Sequence, residues 1–382
     1  MSFGFTEAQE MFRREIHNFS QKELAPGAKE RAKLDYIPSD VLKRMAGMGL
    51  MSFNVPEKYG GQAIDWVSLG ISTEEVGRAD FNLSLPTILS AGIGMALQMA
   101  PDETQEEWFP RVVAGETMLS LATTEPGLGS DVANTTCRAV KDGTSYILSG
   151  EKTSVSLGMQ SNACVIFAKT DPTQGARGVT AFLVPLDQER VSRSRIPDMG
   201  CKPIGRASIF LDNVAVPEKY RLGEEGKGFY LVMSQFDTIR VLLGLICMGA
   251  AQTSLDEAIS YAKQRTAFGK PIAKFEGVSF KIAEAATMIE AGRLLAYHAL
   301  AMKDAGQSHM KESAMVKWLC PVIAVDVIHN CLLIHGQIGY SEEYPLEQRL
   351  RDVMGFEMAD GTADIMKLII VREIMGREFL PY

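Results

Sequence analysis

The chain is poor in cysteine, in histidine clusters and in grouped basic charge, and each shortage removes a class of function. Six cysteines in 382 residues fall far short of the roughly one in ten typical of a disulfide scaffold. Cys137, Cys164, Cys201, Cys247, Cys320 and Cys331 show no CxxC spacing, and His17, His298, His309, His329 and His335 form no HxxxH or HExxH pattern. No metal site is therefore expected, and a reducing compartment suits the thiols. Lys and Arg number 39 against 47 Asp and Glu, a net charge of −8. The basic residues are scattered, which argues against a nucleic-acid partner. The start, Met1-Ser2-Phe3-Gly4-Phe5-Thr6, lacks a basic segment followed by an apolar core, and acidic residues begin at Glu7, so no signal or transit peptide is read. The longest apolar run, Val241 to Ala251, is shorter than the ~20 residues a membrane span needs. No membrane partner is expected, and the cytoplasm is the expected location.

What remains is an ordinary globular composition, 46% hydrophobic and 23% charged, in a chain long enough for two or three units of ~150 residues. Thr6 with Gln9 has the form of a capping box, and Ala8, Phe12, Ile16 and Phe19 share a face at helical spacing. That texture runs to about residue 115, interrupted at Pro56-Glu57-Lys58-Tyr59-Gly60-Gly61. Between 118 and 225 turn signals crowd and short runs alternate: Tyr146–Leu148 after the Asp142-Gly143 turn, Ala163–Ala168, Val179–Val184 and Ile209–Val216. Long periodic stretches then predict helices at 229–264, 276–305, 310–335 and 362–377. The fold class read from this is mainly α with a middle β domain: 1–117 an N-terminal helical domain, 118–226 a small β-barrel-like domain, 227–382 a C-terminal four-helix bundle. There is no internal repeat.

At the first boundary stands Thr123-Thr124-Glu125-Pro126-Gly127-Leu128-Gly129-Ser130-Asp131. Glycines beside hydroxyls let backbone N–H groups approach an anion or planar ring; by spacing alone a tight interdomain turn is the better reading of the stretch. It is no P-loop, and Gly47-Met48-Gly49-Leu50 follows a helical pattern rather than a strand, so it is no dinucleotide fingerprint. The whole string resembles the signature of the FAD-dependent acyl-CoA dehydrogenases. Other pieces follow in that family's order: Pro56–Gly61, Arg265-Thr266-Ala267-Phe268-Gly269-Lys270, His335-Gly336-Gln337-Ile338-Gly339-Tyr340, Leu350-Arg351-Asp352 and Asp360-Gly361-Thr362. The resemblance covers essentially the entire chain.

The resemblance implies FAD as cofactor, an acyl-CoA substrate, an electron-transfer flavoprotein as partner and a homotetramer. It implies that Leu121 to Ser130 line the flavin and acyl-CoA cleft, Leu121, Thr123, Thr124, Gly129 and Ser130 facing cofactor and Ser130 also the pantetheine arm. Ser154-Val155-Ser156 falls where the family has Trp-Ile-Thr or Trp-Ile-Ser; Ser156 keeps a hydroxyl for flavin N5, while Ser154 leaves a smaller wall. Arg265 and Phe268 match positions reaching the FAD of a neighbouring subunit, and Phe275, Glu276, Leu333, Gly336 and Gln337 match further FAD positions; Glu276, Leu333 and Gln337 depart from the usual residues. Thr362 and Asp364 complete the cofactor set. Phe236, Asp237 and Arg240 match the helix segment that holds CoA, with Gly361 also at the substrate; a plain Asp237–Arg240 ion pair within the helix is the other reading.

The implied reaction removes a proton α to the thioester carbonyl and a hydride from the β carbon. The base is normally Glu in Tyr-Glu-Gly-Thr; here the residues are Ala359-Asp360-Gly361-Thr362, so Asp360 is the candidate. Its ordinary pKa is about 3.9 against about 4.3 for Glu, and it loses roughly 1.5 Å of reach. An Asp before Gly361 also suits a helix cap. The alternative base position is Ile239, which cannot accept a proton. Ala359, Asp360 and Ser154 each remove volume beside the reaction centre, a set that resembles the cyclohexane-1-carboxyl-CoA dehydrogenase branch, with cyclohex-1-ene-1-carboxyl-CoA as product. Leu85 to Met95 holds no acidic residue, which disfavours the 1,4-eliminating relatives. A short- or branched-chain acyl-CoA dehydrogenase, a nitroalkane-oxidase-like enzyme with an Asp base, and a member that has lost its chemistry remain the other readings.

Overall fold

The computed structural model describes residues 4–380. The first part holds α1 (Glu7–Phe19), α2 (Ala28–Arg31), α3 (Ser39–Gly47), α4 (Trp66–Ala79), α5 (Ser84–Leu97) and α6 (Asp102–Val113). α1 begins at the capping box: Gln9 N donates to Thr6 Oγ1 at 3.2 Å, and Thr6 N donates to Gln9 Oε1 at 3.0 Å, which satisfies two donors that the first turn leaves free. Asp102 and Glu103 open α6, where negative charge meets the positive end of the helix dipole.

Eight strands follow: β1 (Leu119–Ala122), β2 (Arg138–Asp142), β3 (Ser145–Val155), β4 (Ala163–Lys169), β5 (Val179–Pro185), β6 (Val191–Arg195), β7 (Ala207–Pro217) and β8 (Arg221–Leu222). They form one mixed sheet in the order β6-β7-β3-β2-β4-β5-β8, with β1 parallel to β4. The four runs read from sequence lie in β3, β4, β5 and β7; β4 and β5 are buried almost throughout, while β3 and β7 bury alternate apolar side chains. β6, Val-Ser-Arg-Ser-Arg, is mostly exposed; charge on an edge strand blocks further pairing, and for the same reason no apolar pattern announced it.

The last part comprises α7 (Gly228–Gln264), the hairpin β9 (Thr266–Ala267) and β10 (Lys270–Pro271), α8 (Glu276–Asp304), α9 (Met310–His335), α10 (Leu346–Met354) and α11 (Ala363–Met375). The four expected helices are present within two residues at each end. α10, short and charged on its outer side, was not anticipated. α7 packs against α4, α8 and α9. Its 37 residues extend about 55 Å at ~1.5 Å per residue. By length and hydropathy alone two helical stretches, Gly228–Gln264 and Met310–Tyr340, could cross a bilayer, longer than the apolar run counted in the sequence suggested; in α7 78% of the apolar window is buried inside the fold, the condition of a bundle's central helix.

Two apolar clusters make the core, one helical and one centred on the sheet. α7 belongs to both: Val232 and Phe236 pack into the sheet cluster, and Ile239, Val241 and Leu242 into the helical one. The segment Phe236 to Arg240 is thereby fixed at the seam between the two.

Candidate active site

The loop after β1 is anchored from beneath by a buried ion pair. Glu125 and Lys152 are 3% and 0% exposed, and Lys152 Nζ donates to Glu125 Oε1 at 2.7 Å and to Thr123 O at 3.3 Å. Glu125 also accepts from Thr136 N and Thr136 Oγ1, both at 2.7 Å, from Cys137 N at 3.0 Å, and from the Thr135 hydroxyl. Burial opposes ionisation, but the Lys152 ammonium and the threonine hydroxyls outweigh it and hold the carboxyl down at about 2. On the open side, a Cβ at Gly127 or Gly129 would meet nothing within 4 Å, so backbone there faces free space. Thr153 N donates to Thr124 O at 2.9 Å, which seats the end of β3 beside the loop. Ser154 is exposed in a left-handed conformation (φ 59°) and Ser156 half-buried. Arg206 Nη1 donates to Ser154 Oγ at 3.3 Å while its Nε donates to Asp198 at 2.9 Å; a guanidinium thus stands beside the position where the resembling family has Trp.

Asp360 lies between α10 and α11. Its φ of 52° is left-handed, a conformation that costs a non-glycine residue about 1 kcal/mol. It does not cap α11. Thr362 does, its Oγ1 accepting from Ile365 N at 3.4 Å, so the carboxylate of Asp360 is left for other work. Burial raises the Asp360 carboxyl above the usual range, against the opposing charges of Lys317 and Arg240. Arg240, 7% exposed, donates from Nε to Asp360 O at 3.0 Å and from Nη1 to Asp237 Oδ1 at 3.4 Å. The intrahelical pair and a link to the candidate base loop therefore coexist on one side chain. Ile239, at the alternative base position, packs against Gly92 of α5, so α5 and its Leu85–Met95 stretch border this side. The loop 198–206 ties the sheet domain to α10: Cys201 N donates to Asp352 Oδ1 at 2.6 Å, and Asp352, buried among α10, Asn82 and Cys201, is pushed up to about 6 by that burial.

The remaining candidates form a second group. Arg265 and Glu276 are exposed, Phe275 is half-buried and Phe268 is 96% exposed at a left-handed turn (φ 49°). Leu333 is half exposed, and Gly336 ends α9 at φ 66° with open space around it. Tyr261 near the end of α7 stacks on His335 with ring centroids 4.4 Å apart, which brings these two stretches to one end of the bundle. Arg240 and Arg265 are separated by 25 residues of α7, about 37 Å along its axis. A single chain thus does not gather both groups round one small reacting centre. Asp364 is exposed in the first turn of α11 and pairs with Lys367 at 3.5 Å.

Sequence reading missed Lys152, Arg206 with Asp198, and Lys317. Two of them left a signal: Lys152 shares the inward parity of Tyr146 and Leu148 in β3, and Lys317 stands in the Ser313, Cys320, Ala324 stripe of α9. A lysine at a core position of a periodic element is a buried cation awaiting a partner.

Family models for the N-terminal, middle and C-terminal domains of acyl-CoA dehydrogenase match residues 6–116, 120–214 and 226–375. The 3-(aryl)acrylate reductase of Clostridium sporogenes is 35% identical over 377 residues, covering 97% of this chain and 99% of the relative. Caffeyl-CoA reductase-Etf complex subunit CarC of Acetobacterium woodii is 35% identical over 372 residues, covering 96% and 98%. Among solved structures, the FAD complex of PigA superposes with a TM-score of 0.94 at 25% identity over 99% of this chain and 100% of that one. The chain belongs to the acyl-CoA dehydrogenase family and is an oxidoreductase with that family's fold.

Proposed function

We propose that the protein dehydrogenates a bulky, ring-bearing acyl-CoA, with cyclohexane-1-carboxyl-CoA placed first, that Asp360 is the base, and that the electrons pass to an electron-transfer flavoprotein. FAD is the cofactor; when bound it supplies the hydride acceptor. The donor set suits it: open backbone at Gly127 and Gly129, the half-buried residues Thr124 and Ser156 with their hydroxyls, and, among the described residues, an exposed Arg265 without an ion-pair partner for the pyrophosphate. The single observation that carries the reading is the carboxylate of Asp360, half-buried at the tip of a left-handed loop with two cations behind it and no capping duty. Such a group accepts a proton better than an exposed Asp, because burial raises its basicity toward the working pH. Ionisation of an α C–H needs the thioester oxygen stabilised by hydrogen-bond donors; the backbone N–H of Asp360 is the one this chain offers.

A wide acyl group is supported by the small residues at Ala359, exposed, and Ser154, also exposed, and by relatives whose names carry aryl and caffeyl groups. The name of the second also carries the Etf partner. Leu121, Thr123, Thr124, Gly129, Ser130, Ser154, Ser156, Thr362 and Asp364 are assigned to the cofactor of the same chain, Ser130, Phe236, Asp237, Arg240 and Gly361 to the thioester. Arg265, Phe268, Phe275, Glu276, Leu333, Gly336 and Gln337 are assigned to the cofactor of a neighbouring copy in a homotetramer, which fits the separation along α7. We divide the chain at 117/118 and 226/227. A reducing compartment such as the cytoplasm fits six cysteines that are all unpaired.

The test is anaerobic bleaching of the flavin band by a panel of thioesters. Cyclohexane-1-carboxyl-CoA bleaches fastest; butyryl-CoA or octanoyl-CoA doing far better would overturn the substrate. Asp360→Ala keeps the yellow cofactor and loses turnover by orders of magnitude; retained turnover would overturn the base.

A further inference from the structure

Lys317 is a buried ammonium to which no contact with cofactor or substrate has been assigned. It projects from the third turn of α9, 1% exposed, and among the described residues no carboxylate lies within 4.0 Å of Nζ. A buried cation without a contact anion is costly, several kcal/mol in typical proteins. Its partners here are backbone carbonyls: Phe356 O at 2.6 Å and Gly361 O at 3.2 Å. Those two oxygens bracket Asp360. The third grip on the segment is Arg240, which donates from α7 to Asp360 O itself. Three hydrogen bonds from two cations on two different helices therefore clamp residues 356–361, within which Asp360 holds a left-handed φ of 52°.

We propose that Lys317 is a positioning residue for the base: by clamping the carbonyls on either side of Asp360 it holds the left-handed loop closed and keeps a positive charge behind the carboxylate. The proposal rests on the reading of Asp360 as base but concerns the loop itself. The charged and titratable groups facing this place are Asp360 and Glu357 on the loop and Arg240 and Cys247 on α7, with Arg372 of α11 facing Arg240. Asp237 faces Arg240 from the same helix. Lys317 itself and Arg240 favour the ionised Asp360. The ammonium suits this position better than a neutral amide would, since its charge opposes the desolvation of the carboxylate alongside that of Arg240.

The experiment compares holoenzyme of wild type, Lys317→Met, Lys317→Gln and Lys317→Arg. The protonated-carboxyl infrared band of Asp360, identified by its loss in Asp360→Asn, is titrated with pH in each. In Lys317→Met and Lys317→Gln the midpoint rises by one pH unit or more; in Lys317→Arg it stays within a few tenths of wild type. In parallel, kcat falls ten- to a hundredfold in the two neutral variants at nearly unchanged KM, with flavin content retained, and Lys317→Arg recovers part of it. If Lys317→Met does not fold, Lys317→Gln, which keeps a donor, carries the comparison. An infrared midpoint that does not move overturns the proposal whatever happens to turnover. Retained turnover in Asp360→Ala overturns the assignment of the base, and the infrared titration still decides whether Lys317 sets the ionisation of that carboxyl.

Discussion

Single buried charges decide much of this protein's behaviour, and two carboxylates pull its pH dependence in opposite directions. The folded state holds Glu125 at about 2 against an ordinary 4.5, so its stabilisation is present above about pH 4.5 and is lost as pH falls toward 2. Asp352 is raised from 3.8 to about 6; its contribution is complete below its ordinary value and disappears as pH rises through 6. Glu125→Gln leaves Lys152 buried without its anion and lowers stability at pH 7 by roughly 3–5 kcal/mol, read from urea unfolding; a change under 1 kcal/mol would contradict the anchoring role. Asp352→Asn narrows the difference in unfolding midpoint between pH 4 and pH 7, and superimposable pH profiles for variant and wild type would refute the assignment.

At the scale of elements, close approach of α4 to α7 is what sets the bundle. A Cβ on Gly249 would lie 2.5 Å from Glu74 O and 3.0 Å from Arg78 N, both backbone. Helix propensity favours Ala over Gly by about 1 kcal/mol, but overpacking against an atom that cannot rotate away costs typically 1–3 kcal/mol. The steric cost dominates, and Gly249→Ala lowers the melting temperature by several degrees in calorimetry; an unchanged or raised value would show that the two helices can separate at little cost. The same contact orders the charges on α4: Glu74 accepts from Arg293 Nε at 2.8 Å and from Tyr297 OH at 2.7 Å, which fixes α8 against it. Most of this scale was legible. Apolar residues at helical spacing announced α7, α8 and α9, and alternation announced the inner strands. β6 and α10 carry polar sequences whose structure comes from what they pair with or pack on, so no periodic signal existed to read.

For the whole molecule, the decisive feature is a candidate site in two halves about 37 Å apart along α7. Phe268, 96% exposed at the tip of the β9–β10 hairpin, touches its own chain chiefly through an edge-on contact with Phe275 at 6.1 Å between ring centroids and buries almost nothing. Phe268→Asp and Arg265→Ala therefore leave circular dichroism and monomer unfolding unchanged while reducing FAD retained on gel filtration and, for Phe268→Asp, the mass seen by light scattering. Full cofactor and unchanged mass in both would remove the neighbouring copy from the site. The residue string alone determined the family, the order of helical and sheet regions and the identity of the carboxylate at 360, because these are written in local periodicity and in side-chain type. Only the tertiary structure decided that Thr362 rather than Asp360 caps α11, that Arg240 and Lys317 both reach the loop that carries the base, and that Lys152 lies under Glu125. The last two are contacts between residues 27 to 120 positions apart in the chain, and nothing local to either partner specifies which distant group the folded core will bring against it.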